Sequence, residues 1–206
     1  MSTIWTPAAP LHHLLEVKRS KFHCHIQRAD STDAAHQFIA DLRQHYPEAN
    51  HVCSAFIAGV PGNTTELGCS DDGEPSGCAG KPMLNVLMHG KICFVVAAVA
   101  RIFGGTKLGT GGLARAYGGA VSEGMARLAI EENRILQLAR FTLPFAFEAQ
   151  ARHLLEKFNG VLESIDYSDQ ILMHISMDAE QLPQFTTDMQ NTSGGQCILL
   201  KGDTDA

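Results

Sequence analysis

The sequence predicts an α+β protein of two domains, over residues 1–134 and 137–206. Three observations carry that reading. In the last third, the order strand, helix, strand, strand, helix, strand fills about 70 residues, which fits a ferredoxin-like βαββαβ domain. Earlier, an apolar run over residues 92–100 leads into a glycine-rich loop and then a helical pattern. The charge is also divided: residues 1–136 carry twelve Lys and Arg against twelve Asp and Glu, whereas residues 137–206 carry four against ten. The whole net charge of −6 therefore belongs to the second domain. A polyanionic partner would have to meet a local patch of the first.

Taken in order, residues 14–17 and 22–26 read as strands joined around Lys18-Arg19-Ser20-Lys21. This basic connection is either a solvated hairpin turn or one edge of a phosphate-binding surface. His23 and His25 share a strand face, with Cys24 opposite. No Cys/His pair follows at zinc-finger spacing, so neither this run nor His51 with Cys53 is read as a metal site. Asp30 or Ser31 caps a helix to Tyr46, with Ala35, Phe38, Ile39, Leu42 and Tyr46 as its apolar stripe. Residues 51–58 read as a strand, Pro61-Gly62-Asn63 as a turn, and residues 64–69 as the partner strand. Lys81-Pro82 opens a short helix to His89. Residues 92–100 are apolar on both faces, which makes that strand central. A helix then runs to about residue 130, with Thr110 as N-cap and Leu113, Ala116, Tyr117, Ala120, Val121, Met125 and Leu128 on one stripe.

In the second domain, residues 140–146 read as a strand that Pro144 assigns to an edge. A helix follows over residues 147–158. Residues 161–167 and 170–177 form a hairpin turning at Ser168-Asp169. A helix over residues 180–190 and a strand over residues 196–200 complete the domain, which shows no catalytic constellation.

Composition excludes several classes. The chain is 45% hydrophobic, enough for a real core. No apolar run approaches the roughly 20 residues of a membrane span, and the N-terminus lacks a signal-peptide pattern. A cytoplasmic location is expected, with neither membrane nor DNA as partner. None of the six cysteines forms a C-x-x-C pair.

Two stretches carry chemistry. Residues 101–119 read RIFGGTKLGTGGLARAYGG. Gly104, Gly105, Gly109, Gly111 and Gly112 allow close approach of a ligand to the backbone. Amides beside a helix start make an anion site. Arg101, Lys107 and Arg115 frame it, with Lys81 nearby in sequence; Lys18, Arg19 and Lys21 form a secondary basic surface. Upstream, Asp71, Asp72 and Glu74 lie within four positions, followed by Ser76. Such carboxylates repel unless compensated, by solvated capping and turn hydrogen bonds or by a cation such as magnesium. The P-loop pattern is absent. Residues 109–114 match a dinucleotide fingerprint only formally, several residues after the strand and without a following parallel strand. Nucleophile-elbow and H-E-x-x-H motifs are missing.

The runs DDGEPSG-x-AGKPML and R-x-FGGTKLGTGGL-x-RAYGGAV, with KRSKF earlier, resemble the IMPACT family in its two-domain bacterial YigZ-like branch. The resemblance implies an N-terminal domain similar to the second domain of ribosomal protein S5, and a ferredoxin-like domain similar to one in elongation factor G. It implies translation control: eukaryotic relatives act through a protein partner in a starvation-kinase pathway, and bacterial members point to RNA or the ribosome. Cys78 stands where threonine is usual, and Ile102 where an aromatic is usual.

Three functions remain open. The preferred one is a non-enzymatic, translation-associated protein binding RNA or the ribosome through the glycine loop, without a cofactor. A phosphate-ester enzyme or nucleotide binder would use magnesium on Asp71, Asp72 and Glu74. A protein-interaction module would meet its partner through the C-terminal domain.

Overall fold

The computed structural model describes residues 3–60 and 65–200; the turn expected at Pro61-Gly62-Asn63 lies outside them. The chain is a two-domain α+β protein whose contacts divide it into Ile4–Asn133 and Arg134–Ala206 with Met1–Thr3.

The first unit is built on a five-stranded antiparallel sheet. Its strands are β2 (Leu11–Val17), β3 (Ser20–Arg28), β4 (His51–Ile57), β5 (Leu67–Ser70) and β6 (Val95–Ile102). The order is β2-β3-β6-β4-β5, so the apolar run is the central strand, as expected. Its pleat sends Val95, Ala97 and Val99 to one face and Val96, Ala98 and Ala100 to the other. The first face packs beneath α2 (Gly80–His89) and α3 (Thr110–Met125); the second packs beneath α1 (Thr32–His45). Ser31 caps α1, its hydroxyl accepting from the Ala34 amide at 3.1 Å.

Helix α3 ends at Met125, not near residue 130. The residues beyond form β7 (Ile130–Arg134), which pairs with β1 (Thr3–Pro7) in a separate two-stranded sheet. Neither strand was expected, because β7 reads Ile-Glu-Glu-Asn-Arg and has no apolar alternation. Polar bonds tie it instead: Asn133 Nδ2 donates to Thr6 Oγ1 at 2.7 Å, and Arg28 pairs with Glu131 at 3.2 Å.

On the face opposite Phe22 and Cys24, β3 presents His23 and His25 to His12 of β2 and to Tyr46 after α1. His12 stacks on His25 at 4.4 Å between ring centroids, and His25 Nε2 bonds the Tyr46 hydroxyl at 2.9 Å. Burial, and then neighbouring His12, His23 and His45, push the His25 pKa down to about 4. The same kind of burial and crowding lowers His12 and His23. The unfolded chain thus takes up protons first, beginning near pH 6.5, while the fold holds these rings neutral. Stability is expected to be full above about pH 6.5 and to decline until about pH 4. His25→Gln should flatten that decline in urea midpoints measured across the interval; an unchanged slope would mean that the cluster is solvated.

The second unit runs β8 (Leu136–Leu143), a 3-10 turn (Phe145–Phe147), α4 (Glu148–Lys157), β9 (Val161–Tyr167), β10 (Ile171–Asp178), α5 (Leu182–Thr192) and β11 (Ile198–Leu200). The sheet order β11-β8-β10-β9 is the expected ferredoxin-like βαββαβ topology. Phe141, Leu143, Ile171, Met173, Ile175 and Met177 face Ala151, Leu155, Phe185 and Met189. Pro144 does not make β8 an edge strand. The proline lies just past its end, and β8 is paired on both sides.

Candidate anion-binding site

Arg101 continues the parity of Val95, Ala97 and Val99, so β6 aims it beneath α3. In register it stands between Phe22 on β3 and His51 on β4. Its side chain is only 8% exposed. A charge so placed needs a counter-ion, and Glu74 provides it: Arg101 Nη1 donates to Glu74 Oε1 at 2.5 Å, and the Tyr117 hydroxyl donates to the same oxygen at 2.8 Å. The guanidinium also lies 5.6 Å from the Phe22 ring centroid and 5.7 Å from that of Phe103. Arg101 Nε has no hydrogen-bond partner. Burial pushes the neighbouring Cys53 thiol up to about 12 and raises the Tyr117 hydroxyl as well. Neither group is an activated nucleophile at neutral pH.

Arg101 and Glu74 floor a cavity of about 490 Å³ whose walls include His51, Phe103, Lys107, Gly109 and Thr110. His51 Nδ1 donates to the Asp72 carbonyl at 2.7 Å, which leaves Nε2 as an acceptor. Asn50 Oδ1 accepts from the Phe103 amide at 3.1 Å and ties down the loop. The N-cap of α3 is Gly109, at φ 72°, rather than Thr110, which is the first helical residue. No side chain caps this end. Its leading amides therefore retain the positive end of the helix at the cavity wall.

The glycines divide by role. A Cβ on Gly104 would stand 2.0 Å from the Arg19 carbonyl carbon, and the Gly104 amide donates to Ser20 Oγ at 3.1 Å. The loop thus rests on the Lys18-Arg19 turn, whose two residues hold φ of 49° and 67°. Gly105 and Gly109 supply positive φ, and Gly111 and Gly112 form the first turn of α3.

The cations assemble only in part. Lys107 lines the cavity, and the backbone of Arg19 lies against the loop. Arg101 lines the cavity too, but as half of a neutral pair with Glu74, so it adds no net charge there. Lys81 lies on the first turn of α2, and Arg115 lies one turn into α3; neither is among the lining residues. Lys18, Arg19, Lys21, Lys81, Lys107 and Arg115 are exposed and join no ion pair among the described residues.

Each carboxylate of the acidic loop has partners within the protein. Asp71 accepts the amides of Gly77, Ala79 and Gly80 at 2.7–2.9 Å and so caps α2. Its partial burial raises the pKa, but the three amides together outweigh that and hold it below the usual value. Asp72 pairs with Arg43 at 2.6 Å and accepts the Val52 amide at 2.6 Å. Glu74 belongs to Arg101, and Ser76 is exposed. The three carboxylates diverge onto separate partners, and no group of His, Cys, Asp or Glu among the described residues is placed to hold a metal. Sequence reasoning passed over Asn50, Phe103 and Tyr117, and set His51 aside after considering only a metal role.

Residues 18–125 match the Impact N-terminal domain, and residues 141–196 match a domain of unknown function, DUF1949. The IMPACT family member YigZ of Escherichia coli (strain K12) is 36% identical over 94% of this chain and 95% of its own. The IMPACT family member YvyE of Bacillus subtilis (strain 168) is 31% identical over 93% and 87%. A crystal structure described as that of a hypothetical protein superposes with a TM-score of 0.77, at 34% identity and full coverage of both chains. The chain therefore belongs to the IMPACT family, in the two-domain form represented by YigZ.

Proposed function

We propose that this protein is a non-enzymatic, translation-related regulator that binds RNA, free or on the ribosome, through the glycine-loop cavity and its basic rim. Family membership supports a translation-related regulator in general. The observation that carries the RNA reading is the uncapped start of α3 beside Lys107, with the Lys18-Arg19 turn packed under Gly104. Helix amides and unpaired lysines suit phosphate oxygens. The sheet of the second unit, where Leu138 is 73% exposed and Ile198 54%, is the surface offered to a protein partner. The test is fluorescence anisotropy with a labelled single-stranded RNA across a salt series. Affinity should fall steeply with salt, and Lys107→Ala should make the log–log slope shallower by about 0.7. No binding at about 50 mM salt, or a flat slope, would reject the reading.

A further inference from the structure

We propose, building on the RNA reading, that the cavity is a pocket for one nucleotide bearing a terminal phosphate monoester, and not a groove that tracks internal phosphates. Charge decides between the two. Arg101 and Glu74 cancel, so Lys107 is the formal positive charge left among the described lining residues. One lysine with one helix start suits one phosphate. A monoester brings close to two negative charges and three acceptor oxygens, whereas an internal diester brings a single charge.

The acceptors have a matching set of donors. The amides of Thr110, Gly111 and Gly112 open α3 without a capping side chain. Beside them is a second, independent feature. The side chain of Arg101, more than nine-tenths buried, lines the same cavity, and its Nε is enclosed without a partner. Phe103 supplies the other half of the ligand. It is 45% exposed and lines the cavity, and the Arg101 guanidinium lies against its ring. A base can stack on such a ring whatever its identity. His51 Nε2, left an acceptor by the Asp72 carbonyl, takes a hydrogen bond from a ribose hydroxyl or a base N–H. The volume of about 490 Å³ lies within the range of about 300–1,000 Å³ of small-molecule sites.

The ligand chemistry is shared by the 5′ end of an RNA and a free nucleoside monophosphate. The experiment uses the full chain and an RNA octamer carrying either a 5′-phosphate or a 5′-hydroxyl, with adenosine 5′-monophosphate and inorganic phosphate as competitors. The 5′-phosphate form should bind about tenfold tighter, Lys107→Ala should remove most of that preference, and Phe103→Ala should weaken both octamers about tenfold. Because Phe103 is half exposed, its thermal midpoint should stay near that of the parent, which checks folding. Competition by the monophosphate identifies the free nucleotide as the source; a 5′-phosphate preference without such competition identifies the RNA end. Equal binding of the two octamers with a normal salt slope overturns this proposal and leaves the RNA reading standing. Binding of the monophosphate but of neither octamer does the reverse. If inorganic phosphate competes as well as the monophosphate and Phe103→Ala changes nothing, no base is recognised and the proposal falls.

Discussion

Glu74→Ala is expected to cost about 3–5 kcal/mol of stability, because it strands Arg101 as an uncompensated charge under α3. Arg101→Ala should cost a similar amount by stranding Glu74, which is itself buried. The pair need not be worth that much in place. Replacing both members by apolar residues, as in Glu74→Leu with Arg101→Met, should return most of the loss, since neither desolvated charge is then left alone. Urea unfolding of the two single variants and the double variant gives the comparison. A double variant no better than the sum of the singles would show that the two side chains act independently. A loss below about 1 kcal/mol in either single variant would show that water reaches the pair.

Gly104→Ala is the second large effect. The new methyl would meet backbone atoms of Arg19 and Ser20 at 2.0–2.3 Å, and no flexible side chain is there to yield. Overpacking of this kind costs about 2–3 kcal/mol and is relieved only by moving the loop off the turn. Under the proposed function, RNA affinity should fall along with stability, because the glycine loop would shift from its place on the turn. Gly105→Ala and Gly109→Ala are the controls. Their added methyls meet open space but force a positive φ on a residue with a Cβ, at about 1–3 kcal/mol each. If Gly104→Ala were as mild as these, the contact between loop and turn would not be a fixed part of the fold.

Much of this architecture could be read from residue order. The unbroken apolar run placed β6 at the sheet centre, and the alternation around Ser168-Asp169 placed the second hairpin. What escaped was contact at long range. Arg101 shares its parity with Val99, and that alone marks it as inward-facing; it was read instead as a strand-end cation because Glu74 lies 27 positions away in sequence. Magnesium stayed an open alternative to capping at the acidic loop for the same reason: the amides that Asp71 accepts and the Arg43 that Asp72 meets come together only on folding. Strand β7 escaped because its pairing with β1 and its side-chain bonds to Thr6 and Arg28, not an apolar pattern, define it. Thr110 was read as the cap because threonine favours that place; the chain spends a glycine there and leaves the helix end open.

The tip of the β2–β3 hairpin has a consequence for anyone redesigning this protein. Lys18 and Arg19 both occupy backbone territory that asparagine and glycine fill far more comfortably. Optimising the tip for thermal robustness would therefore favour an uncharged replacement and strip two cations from beside the loop. Under the proposed function, selection for durability and selection for ligand capture pull in opposite directions at these two positions.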